Sequence, residues 1–399
     1  MEKENKQKLI KALQDNLTDN ILPYWMNGMI DPAGGFYGRR DGDDVLDAEA
    51  PKGAILNGRL LWSFAAAYRH TGKPEYLEMA TRARDYIMEH FLDKVNGGIY
   101  WSLTAAGEPL DTKKQFYALA FVMYGISEYS RATGDKESLE VAKDLFWAIE
   151  AHSRDREKGG YLEAATIDWQ PIADMRLSDK DDNACKTMNT HLHILEAYAN
   201  LLRVWRAPEL EEAVRHLLDV FFDRIEDPVN HHLGLFFDED WKRLDAEISY
   251  GHDIEASWLL LEAAEVLGDE EMLAKAREHT LKIGLAALEG RCWDGSMVYE
   301  RHANGSYDNE KHWWVQAEDL VGQLYLAVYH NLPEYFDKAI ETWSYIDKNI
   351  VDHEKGEWHW SRKDGEINRA DDKAGFWKCP YHNSRACLES LRLLKGTTC

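Results

Sequence analysis

The stretch Tyr250-Gly-His-Asp-Ile-Glu-Ala-Ser-Trp258 opens a long apolar run that continues as Leu-Leu-Leu-Glu-Ala-Ala264. His252 and Glu255 stand in the first turn of the predicted helix at i and i+3, so their side chains would lie on one helix face. A histidine near a helix start is ordinarily a polar residue that faces solvent. Here, however, unusual polar residues begin about six helices along the chain. This recurrence determines the predicted fold and the predicted site.

Six short strand-like segments, each containing a glycine, mark a repeat along the chain. They are Gly34-Gly-Phe-Tyr37, Gly97-Gly-Ile-Tyr-Trp101, Gly159-Gly-Tyr-Leu162, Leu233-Gly-Leu-Phe-Phe237, Asp294-Gly-Ser-Met-Val-Tyr299 and Gly356-Glu-Trp-His-Trp360. Corresponding glycines, starting at Gly35, are separated by 63, 62, 74, 61 and 61 residues. Such regular spacing is the sequence signature of a repeat architecture.

Helical periodicity fills the intervals between these segments. The predicted helices span 4–24, 57–72, 75–92, 115–133, 137–152, 187–205, 209–225, 252–267, 270–289, 314–330, 334–349 and 382–395. Twelve helices in six repeats, without a linker or a break in composition, predict an all-α fold with short β-hairpins in the loops. We therefore expect one (α/α)6-barrel catalytic domain over residues 1–399, with six inner and six outer helices. The 74-residue step contains a polar insertion, 174–183, which we interpret as a candidate mobile lid.

Composition limits the partners and the compartment. A net charge of −24 excludes nucleic acid and anionic membrane surfaces as expected partners. The 15 Trp and 19 Tyr residues suit stacking against the apolar faces of sugar rings. The five cysteines are scattered without a CxxC pair, which favours reduced thiols in the cytoplasm. The charged N-terminus and the absence of 18 consecutive apolar residues predict neither a signal peptide nor a membrane span.

Polar and aromatic residues stand at the starts of all six presumed inner helices. In a closed barrel with parallel inner helices these starts lie at one end, so their side chains should converge on one cavity. The candidates are Arg59, Tyr117, Asn189, His193, His252, Glu255, Trp314, Glu318 and His382. The positive ends of six helix dipoles would face the same cavity, which suits a reaction that builds negative charge on oxygen.

Several of these residues have a purely structural alternative. Asn189 and His193 are four residues apart and share a helix face, whereas His191 does not, so we predict that His191 is structural. The His191-x-His193 pair is a poor metal site for the same reason, and we expect no metal. Arg59 could simply pair with a carboxylate such as Glu318. One of the adjacent tryptophans 313 and 314 is expected to belong to the core.

Two chemistries fit this set of residues. Glu255 and Glu318 could be the two carboxylates of a glycoside hydrolase. Three histidines instead favour proton removal near neutral pH, and the carbon next to a sugar aldehyde is acidic enough to lose a proton. A single base would return the proton to the same face or yield a ketose, whereas bases on both faces would invert C2. His252 and His382 are candidates for two such bases. A non-catalytic sugar-binding barrel is a third possibility.

Four motifs resemble the N-acylglucosamine 2-epimerase superfamily, and most closely its cellobiose 2-epimerase branch. They are Asn189-Thr-His-Leu-His-Ile-Leu-Glu-Ala-Tyr198, Gly251-His-Asp-Ile-Glu-Ala-Ser-Trp258, Trp313-Trp-Val-Gln-Ala-Glu318 and Gly375-Phe-Trp-Lys-Cys-Pro-Tyr-His382. The resemblance runs nearly the whole chain, and assignment to the branch depends on the tryptophans around 313–314 and at 377. Sister enzymes that isomerise mannose to fructose or epimerise N-acetylglucosamine share the histidines, so they remain alternatives.

The resemblance implies an (α/α)6 barrel that reversibly epimerises C2 of the reducing-end glucose in β-1,4-linked disaccharides such as cellobiose, lactose and mannobiose. It implies that His252 and His382 are the acid/base pair, that His382 also helps to open the ring, and that His193 binds the C1 and C2 oxygens. It further implies binding roles for Arg59, Asn189 and Tyr117, ring packing by Trp314 and Trp377, and orientation of a catalytic histidine by Glu255. Glu318 is counted among the substrate-binding residues. No cofactor or metal is expected, and the expected state is a monomer.

Overall fold

The computed structural model describes residues 2–178 and 181–396, and helices make up most of it. The first helix, α1, runs through Glu2–Asp15, a π-helical turn at Asn16–Ile21, and Leu22–Gly28. The other helices are α2 Ala54–Thr71, α3 Pro74–Tyr86, α4 Phe116–Thr133, α5 Lys136–His152, α6 Met188–Leu202, α7 Pro208–Val220, α8 Tyr250–Leu267, α9 Glu270–Ala287, α10 Trp313–Val328, α11 Glu334–Asn349 and α12 Tyr381–Lys395. Helices α3 and α7 each end in a π-helical turn, Ile87–Phe91 and Phe221–Ile225, and a 3₁₀ turn, Leu288–Gly290, follows α9.

The even-numbered helices form a closed inner ring. Each packs against the next, and α12 returns to pack against α2. Each odd-numbered helix covers one inner helix from outside, with α1 on α12 and α3 on α2. The predicted (α/α)6 barrel of twelve helices is thereby confirmed for the described residues.

The burial pattern separates the two rings. Helix α8 is buried on nearly all sides, as expected for a helix in the core of a large fold. Helix α7 is amphipathic instead: Leu210, Val214 and Leu217 are buried, whereas Glu209 faces solvent. The sequence thus places apolar residues all round the inner helices and along one stripe of the outer ones.

The glycine segments form the same turn six times. In each repeat the end of an outer helix makes a short antiparallel bridge to the residue that follows the turn. The bridges are Ile30 to Phe36, Leu92 to Ile99, Arg154 to Tyr161, Glu226 to Leu233, Arg291 to Met297 and Val351 to Trp358. Gly160 shows why glycine is needed: its φ is 77°, and a Cβ there would lie 2.3 Å from the Trp241 ring.

Short strands join neighbouring repeats on the side where the inner helices begin. They are β1 Arg39–Arg40, β2 Leu46–Asp47, β3 Lys52–Gly53, β4 Ser102–Leu103, β5 Pro109–Asp111, β6 Lys114–Gln115, β7 Ala164–Ala165, β8 Lys186–Thr187, β9 Phe236–Phe237, β10 Ile248–Ser249, β11 Glu300–Arg301, β12 Tyr307–Asp308, β13 Lys311–His312, β14 Ser361–Lys363 and β15 Glu366–Ile367. The strand before each of the inner helices α2, α4, α6, α8 and α10 pairs antiparallel with a strand from the following loop, giving β3–β4, β6–β7, β8–β9, β10–β11 and β13–β14. A bridge between Arg40 and Ala374 joins the first loop to the last. This network holds the N-terminal ends of the inner helices in fixed positions.

Three further expectations concern membrane spans, the cysteines and the predicted lid. No helix in the two described ranges is long and apolar enough to cross a bilayer. Cysteines 185, 292, 379 and 387 all carry free thiols, and Cys399 lies outside the described residues. Residues 179 and 180 of the predicted lid also lie outside them, so its mobility stays a prediction.

Candidate active site

A cavity of about 500 Å³ opens at the N-terminal ends of the inner helices. Nine of the ten predicted site residues line it: Arg59, Tyr117, Asn189, His193, His252, Glu255, Trp314, Trp377 and His382. The tenth, Glu318, is fully buried and does not line the cavity. The inner-ring geometry therefore brings together residues that are more than 300 positions apart in sequence, such as Arg59 and His382.

The site has two layers, because residues three or four positions apart on a helix lie one turn above each other. The outer layer comes from the second or third residue of five inner helices: Tyr117, Asn189, His252, Trp314 and His382. The deeper layer lies one turn further along the helices: Arg59, His193, Glu255, Glu318 and Arg385. Histidines and aromatic rings dominate the outer layer, and charged groups dominate the deeper one.

His382 is oriented by a carboxylate. Its Nδ1 lies 2.6 Å from Oε1 of Glu318 and 3.9 Å from Oε1 of Glu255. Burial, followed by the charges of Arg59 and Arg385, lowers the pKa of His382 well below its ordinary value. The ring is therefore neutral at pH 7, with Nδ1–H donating to Glu318 and the lone pair on Nε2.

His193 has a similar arrangement one helix turn deeper. Its Nδ1 lies 2.9 Å from Oε2 of Glu196, and its ring meets the Tyr117 ring edge-on at 5.1 Å. Burial alone would raise the pKa of Glu196, but the charge of Arg385 and the bond to His193 lower it to about 2. Glu196 is thus ionised and accepts a hydrogen bond from Nδ1–H of His193.

His252 has a hydroxyl as its partner instead. Its Nδ1 lies 2.7 Å from Oγ of Ser249. Desolvation, and then the nearby His193, lowers the pKa of His252 to about 3, so this ring is also neutral at pH 7. A neutral imidazole can accept a proton from a carbon acid.

Trp314 lies beside both of these outer-layer histidines. Its ring centroid is 4.8 Å from that of His252 and 5.6 Å from that of His382. A sugar ring resting against this indole would therefore have an imidazole within reach at two of its edges. Trp313 is only 3% exposed and packs against Trp360 at 4.7 Å, as expected for the core member of the pair.

Arg59 is a buried cation without a carboxylate partner among the described residues. Its Nη2 donates to the Tyr117 hydroxyl at 2.9 Å, and its guanidinium lies 4.0 Å from the Phe121 ring centre. The alternative in which Arg59 pairs with Glu318 is wrong, because Glu318 accepts from Arg385 at 2.6 Å. An unpaired buried guanidinium suits stabilisation of an oxyanion.

Arg385 and Glu196 belong to the deeper layer, and neither was predicted from the sequence. Nη2 of Arg385 donates to Glu255 at 2.5 Å and to Glu318 at 2.6 Å, and Nη1 donates to Glu196. One guanidinium thus holds the glutamates that orient His193 and His382. The i, i+3 spacing of His193–Glu196 and His382–Arg385 was the available signal, since the same spacing was recognised for His252 and Glu255.

The buried glutamates disfavour the hydrolase alternative. Glu318 accepts hydrogen bonds from His382 and Arg385 through Oε1 and from Trp258 Nε1, at 3.0 Å, through Oε2. Neither oxygen faces the cavity, so Glu318 cannot protonate a glycosidic oxygen there. Burial, followed by repulsion from Glu318, raises the pKa of Glu255 to about 7. Of the two candidate carboxylates only Glu255 lines the cavity, so Glu255 and Glu318 do not make the pair that glycoside hydrolysis requires.

Ligand atoms of Glu255, Glu318 and His382 all lie within 4.8 Å of one another, a spacing that could hold a metal ion. However, Nη2 of Arg385 already binds one oxygen of each glutamate. A divalent cation would have to displace this guanidinium or share its carboxylates. The residues therefore fit an ion-pair cluster better than a metal centre.

His191 lies away from the cavity, as the helix phase predicts. Its Nδ1 is 2.6 Å from the Thr187 carbonyl oxygen, and its Nε2 accepts from the backbone N–H of Tyr161 at 2.8 Å. Both ring nitrogens are therefore occupied, Nδ1 by the residue that precedes α6 and Nε2 by a loop residue.

A second cavity of about 820 Å³ adjoins the first. His252, Asn189, Tyr299 and His312 line both. The described part of the predicted lid contributes Leu177 to both cavities. Together the two cavities have room for more than one sugar ring.

Comparison with known proteins identifies the family and the fold. The family model for N-acylglucosamine 2-epimerase (GlcNAc 2-epimerase) matches residues 35–386. Cellobiose 2-epimerase from Bacteroides fragilis is 53% identical over 392 residues, which cover 96% of this chain and 98% of that protein. The structure of cellobiose 2-epimerase from Bacillus thermoamylovorans superposes with a TM-score of 0.92 at 38% identity, covering 97% of this chain and 99% of that one. That of cellobiose 2-epimerase from Spirochaeta thermophila gives a TM-score of 0.89 at 40% identity, covering 98% of each chain.

Proposed function

The chain is an isomerase that belongs to the N-acylglucosamine 2-epimerase family, and we propose that it reversibly epimerises C2 of the reducing-end glucose in β-1,4-linked disaccharides. Cellobiose would yield glucosyl-mannose, and lactose would yield epilactose. Relatives that are 53% and 38% identical support this assignment, since they are named cellobiose 2-epimerases. The adjoining cavity supports a substrate longer than one ring.

The mechanism uses two neutral histidines on either side of C2. In the open-chain aldehyde form of the sugar, one imidazole Nε2 removes the C2 proton. The electrons of the C2–H bond form a C1–C2 double bond, and the aldehyde oxygen takes the negative charge. The imidazole on the opposite side takes a proton from solvent and delivers it to the other face of C2. The aldehyde re-forms at C1 with C2 inverted, and the first imidazolium releases the abstracted proton to solvent.

The other cavity residues stabilise and hold the intermediate. Arg59 supplies a buried positive charge for the enediolate oxygens, and His193 and Asn189 supply hydrogen bonds. Trp314 and Trp377 provide apolar faces for sugar rings. Glu318 acts through His382, so we assign it a positioning role instead of substrate contact.

The observation that carries the proposal is the shared contact of His252 and His382 with the single indole of Trp314. A sugar ring that binds against Trp314 would therefore lie next to both proposed bases. The test is an NMR spectrum of cellobiose incubated with the enzyme in D₂O. We expect glucosyl-mannose with deuterium at C2 and an intact glycosidic bond. Release of glucose would instead indicate hydrolysis, and an unchanged spectrum would indicate binding without catalysis.

The same measurement, repeated with N-acetylglucosamine, separates two alternatives within the family. A ketose product would identify an aldose–ketose isomerase, in which the proton returns to C1. Turnover of N-acetylglucosamine, with no reaction on cellobiose, would identify an N-acylglucosamine 2-epimerase.

We further propose a metal-independent, cytoplasmic monomer built as one catalytic domain over residues 1–399. The four free thiols of the described residues support a reducing compartment. Static light scattering should give a mass near 46.1 kDa in solution. A mass of twice this value would contradict the monomer.

A further inference from the structure

The three site histidines differ in the group that forms a hydrogen bond with Nδ1. A glutamate accepts from His193 and another from His382, whereas His252 has only the hydroxyl of Ser249. No carboxylate pairs with His252 anywhere in the described ranges. This difference separates the two residues proposed as bases for C2.

The obvious carboxylate for His252 is used elsewhere. Glu255 follows His252 by three residues, but Arg385 holds it at 2.5 Å and its nearest histidine nitrogen is Nδ1 of His382, at 3.9 Å. Ser249 itself is fixed. It is 3% exposed and lies in β10, where it pairs with Glu300 of β11 directly before α8 begins.

We propose that Ser249 is the positioning residue for His252, and that its neutral hydroxyl makes the two C2 bases unequal. This inference rests on the proposed function. With Nδ1–H directed at Oγ, the lone pair of His252 lies on Nε2, the nitrogen that must face the sugar. When His382 takes the C2 proton, Glu318 stabilises the imidazolium through an ion pair. When His252 takes it, a hydroxyl oxygen is the only side-chain partner of Nδ1, so the two bases differ in the group that holds the ring.

Other charged groups around the cavity do not replace Ser249 as the partner of His252. Titratable side chains from several elements line the two cavities, among them Arg59, His193, Glu255, His382, Tyr299, His312, Asp181, Glu247 and Glu300. Within the described residues, none of them forms a hydrogen bond or ion pair with His252. Ser249 is therefore the side chain that holds Nδ1 of this ring.

The test follows exchange of the C2 proton with solvent deuterium, separately for cellobiose and glucosyl-mannose, before inversion accumulates. Exchange from each epimer reports only the base on its own face. Ser249→Ala should slow exchange from one epimer about tenfold, as expected for loss of one orienting hydrogen bond, and leave the other within about twofold. Ser249→Thr keeps the hydroxyl and should restore the slowed exchange.

The matched variant is Glu318→Gln, which keeps a hydrogen-bond acceptor for His382 but removes the charge. It should slow exchange from the opposite epimer. If Ser249→Ala fails to fold, Ser249→Cys, with a weak acceptor of similar size, should show the same one-sided slowing. Equal slowing of both epimers, or of neither, would overturn the role of Ser249. Absence of any exchange in the unmodified enzyme would instead overturn the proposed function itself.

Discussion

At the scale of single residues, the two proposed bases can be removed one at a time. Replacing either His252 or His382 by Asn should lower the epimerisation rate by about 10²–10⁴-fold, the usual contribution of general acid/base catalysis. Disaccharide binding should stay measurable by calorimetry, because Arg59, Trp314 and Trp377 remain. A variant that retains the abstracting base should still exchange the C2 proton without inverting the centre. Near-normal epimerisation by both variants would exclude the two-base mechanism.

His191→Asn is the matched control for these variants. His191 lies on the same helix as His193 but bonds only to backbone atoms of Thr187 and Tyr161. We expect this variant to keep its activity while losing stability. If His191→Asn were as inactive as His252→Asn while His193→Asn stayed active, the assignment of roles on α6 would be wrong.

The same residue predicts a pH effect on stability. Burial lowers the pKa of His191 to about 3 in the folded chain, against an ordinary value of 6.5. The unfolded chain therefore binds this proton more tightly, so the contribution to stability is complete above pH 6.5 and is lost as pH falls towards 3. The melting temperature should fall across this window. A shallower fall in His191→Asn would confirm the assignment, and an unchanged slope would contradict it.

Metal removal tests the deeper layer. Because Arg385 already supplies a positive charge to Glu255 and Glu318, we expect incubation with EDTA to leave the epimerisation rate intact. The measurement is the rate before and after dialysis against the chelator. Reproducible loss of activity, restored by one particular divalent ion, would show that the cluster binds a metal after all.

The sequence predicts the outer layer of the site better than the deeper one. Helix periodicity places Asn189 and His193 on one face and turns His191 away, so single-helix geometry was sufficient. The hydrogen bonds of Arg385 to glutamates on α6, α8 and α10 depend on the spacing of four helices. The residue pattern within a single helix does not predict that spacing. The choice of Ser249 over Glu255 as the partner of His252 depends on that same network.

At the scale of secondary structure, buried lysine–aspartate pairs recur before the inner helices. Lys52 pairs with Asp31 at 2.5 Å and Lys114 with Asp93 at 2.7 Å, both across 21 positions. Lys186–Asp155 and Lys373–Asp352 repeat the arrangement. In the fourth repeat Ile248 takes the place of the lysine. Each pair ties a glycine turn to the segment that leads into the next inner helix.

Lys114→Met tests whether these buried lysine–aspartate pairs stabilise the fold. Lys114 is fully buried and Asp93 is 3% exposed, so the variant would leave an uncompensated buried charge. We expect the free energy of unfolding in urea to fall by about 3–5 kcal/mol. Adding Asp93→Asn should recover part of the loss. Lys11→Met removes a solvent-exposed pair on α1 and should leave the urea midpoint unchanged. Equal effects of the two lysine variants would contradict the proposed role.

Helix positions were predictable because an apolar period of 3.6 residues is a local property. The predicted segment 252–267 corresponds to Tyr250–Leu267, and 382–395 to Tyr381–Lys395. The π-helical turn within α1 was not predicted, and neither was the extension of that helix to Gly28. The pairing of strands between loops was also missed, since two-residue strands carry no alternation to detect.

At the scale of the whole molecule, the ring closes through contacts between the ends of the chain. Nε1 of Trp358 donates to Asn16 of α1 at 2.9 Å, and the side chain of Asn20 donates to the Asp352 carbonyl oxygen at 2.9 Å. Each joins residues more than 300 positions apart. Opening one repeat would therefore expose the buried faces of both its neighbours, unlike in an open solenoid.

This closure predicts that the twelve helices unfold as one cooperative unit. Far-ultraviolet circular dichroism reports the helices, and tryptophan fluorescence reports the packing of residues such as Trp258 and Trp358, which are buried in different repeats. In urea the two signals should change together in one transition. Asn16→Ala removes the hydrogen bond to Trp358 that joins the two ends of the chain. It should shift both curves equally to lower urea, because this contact and the barrel would be lost in the same step. If the fluorescence changed at lower urea than the helical signal, or if Asn16→Ala separated two overlapping transitions, the barrel would consist of more than one folding unit.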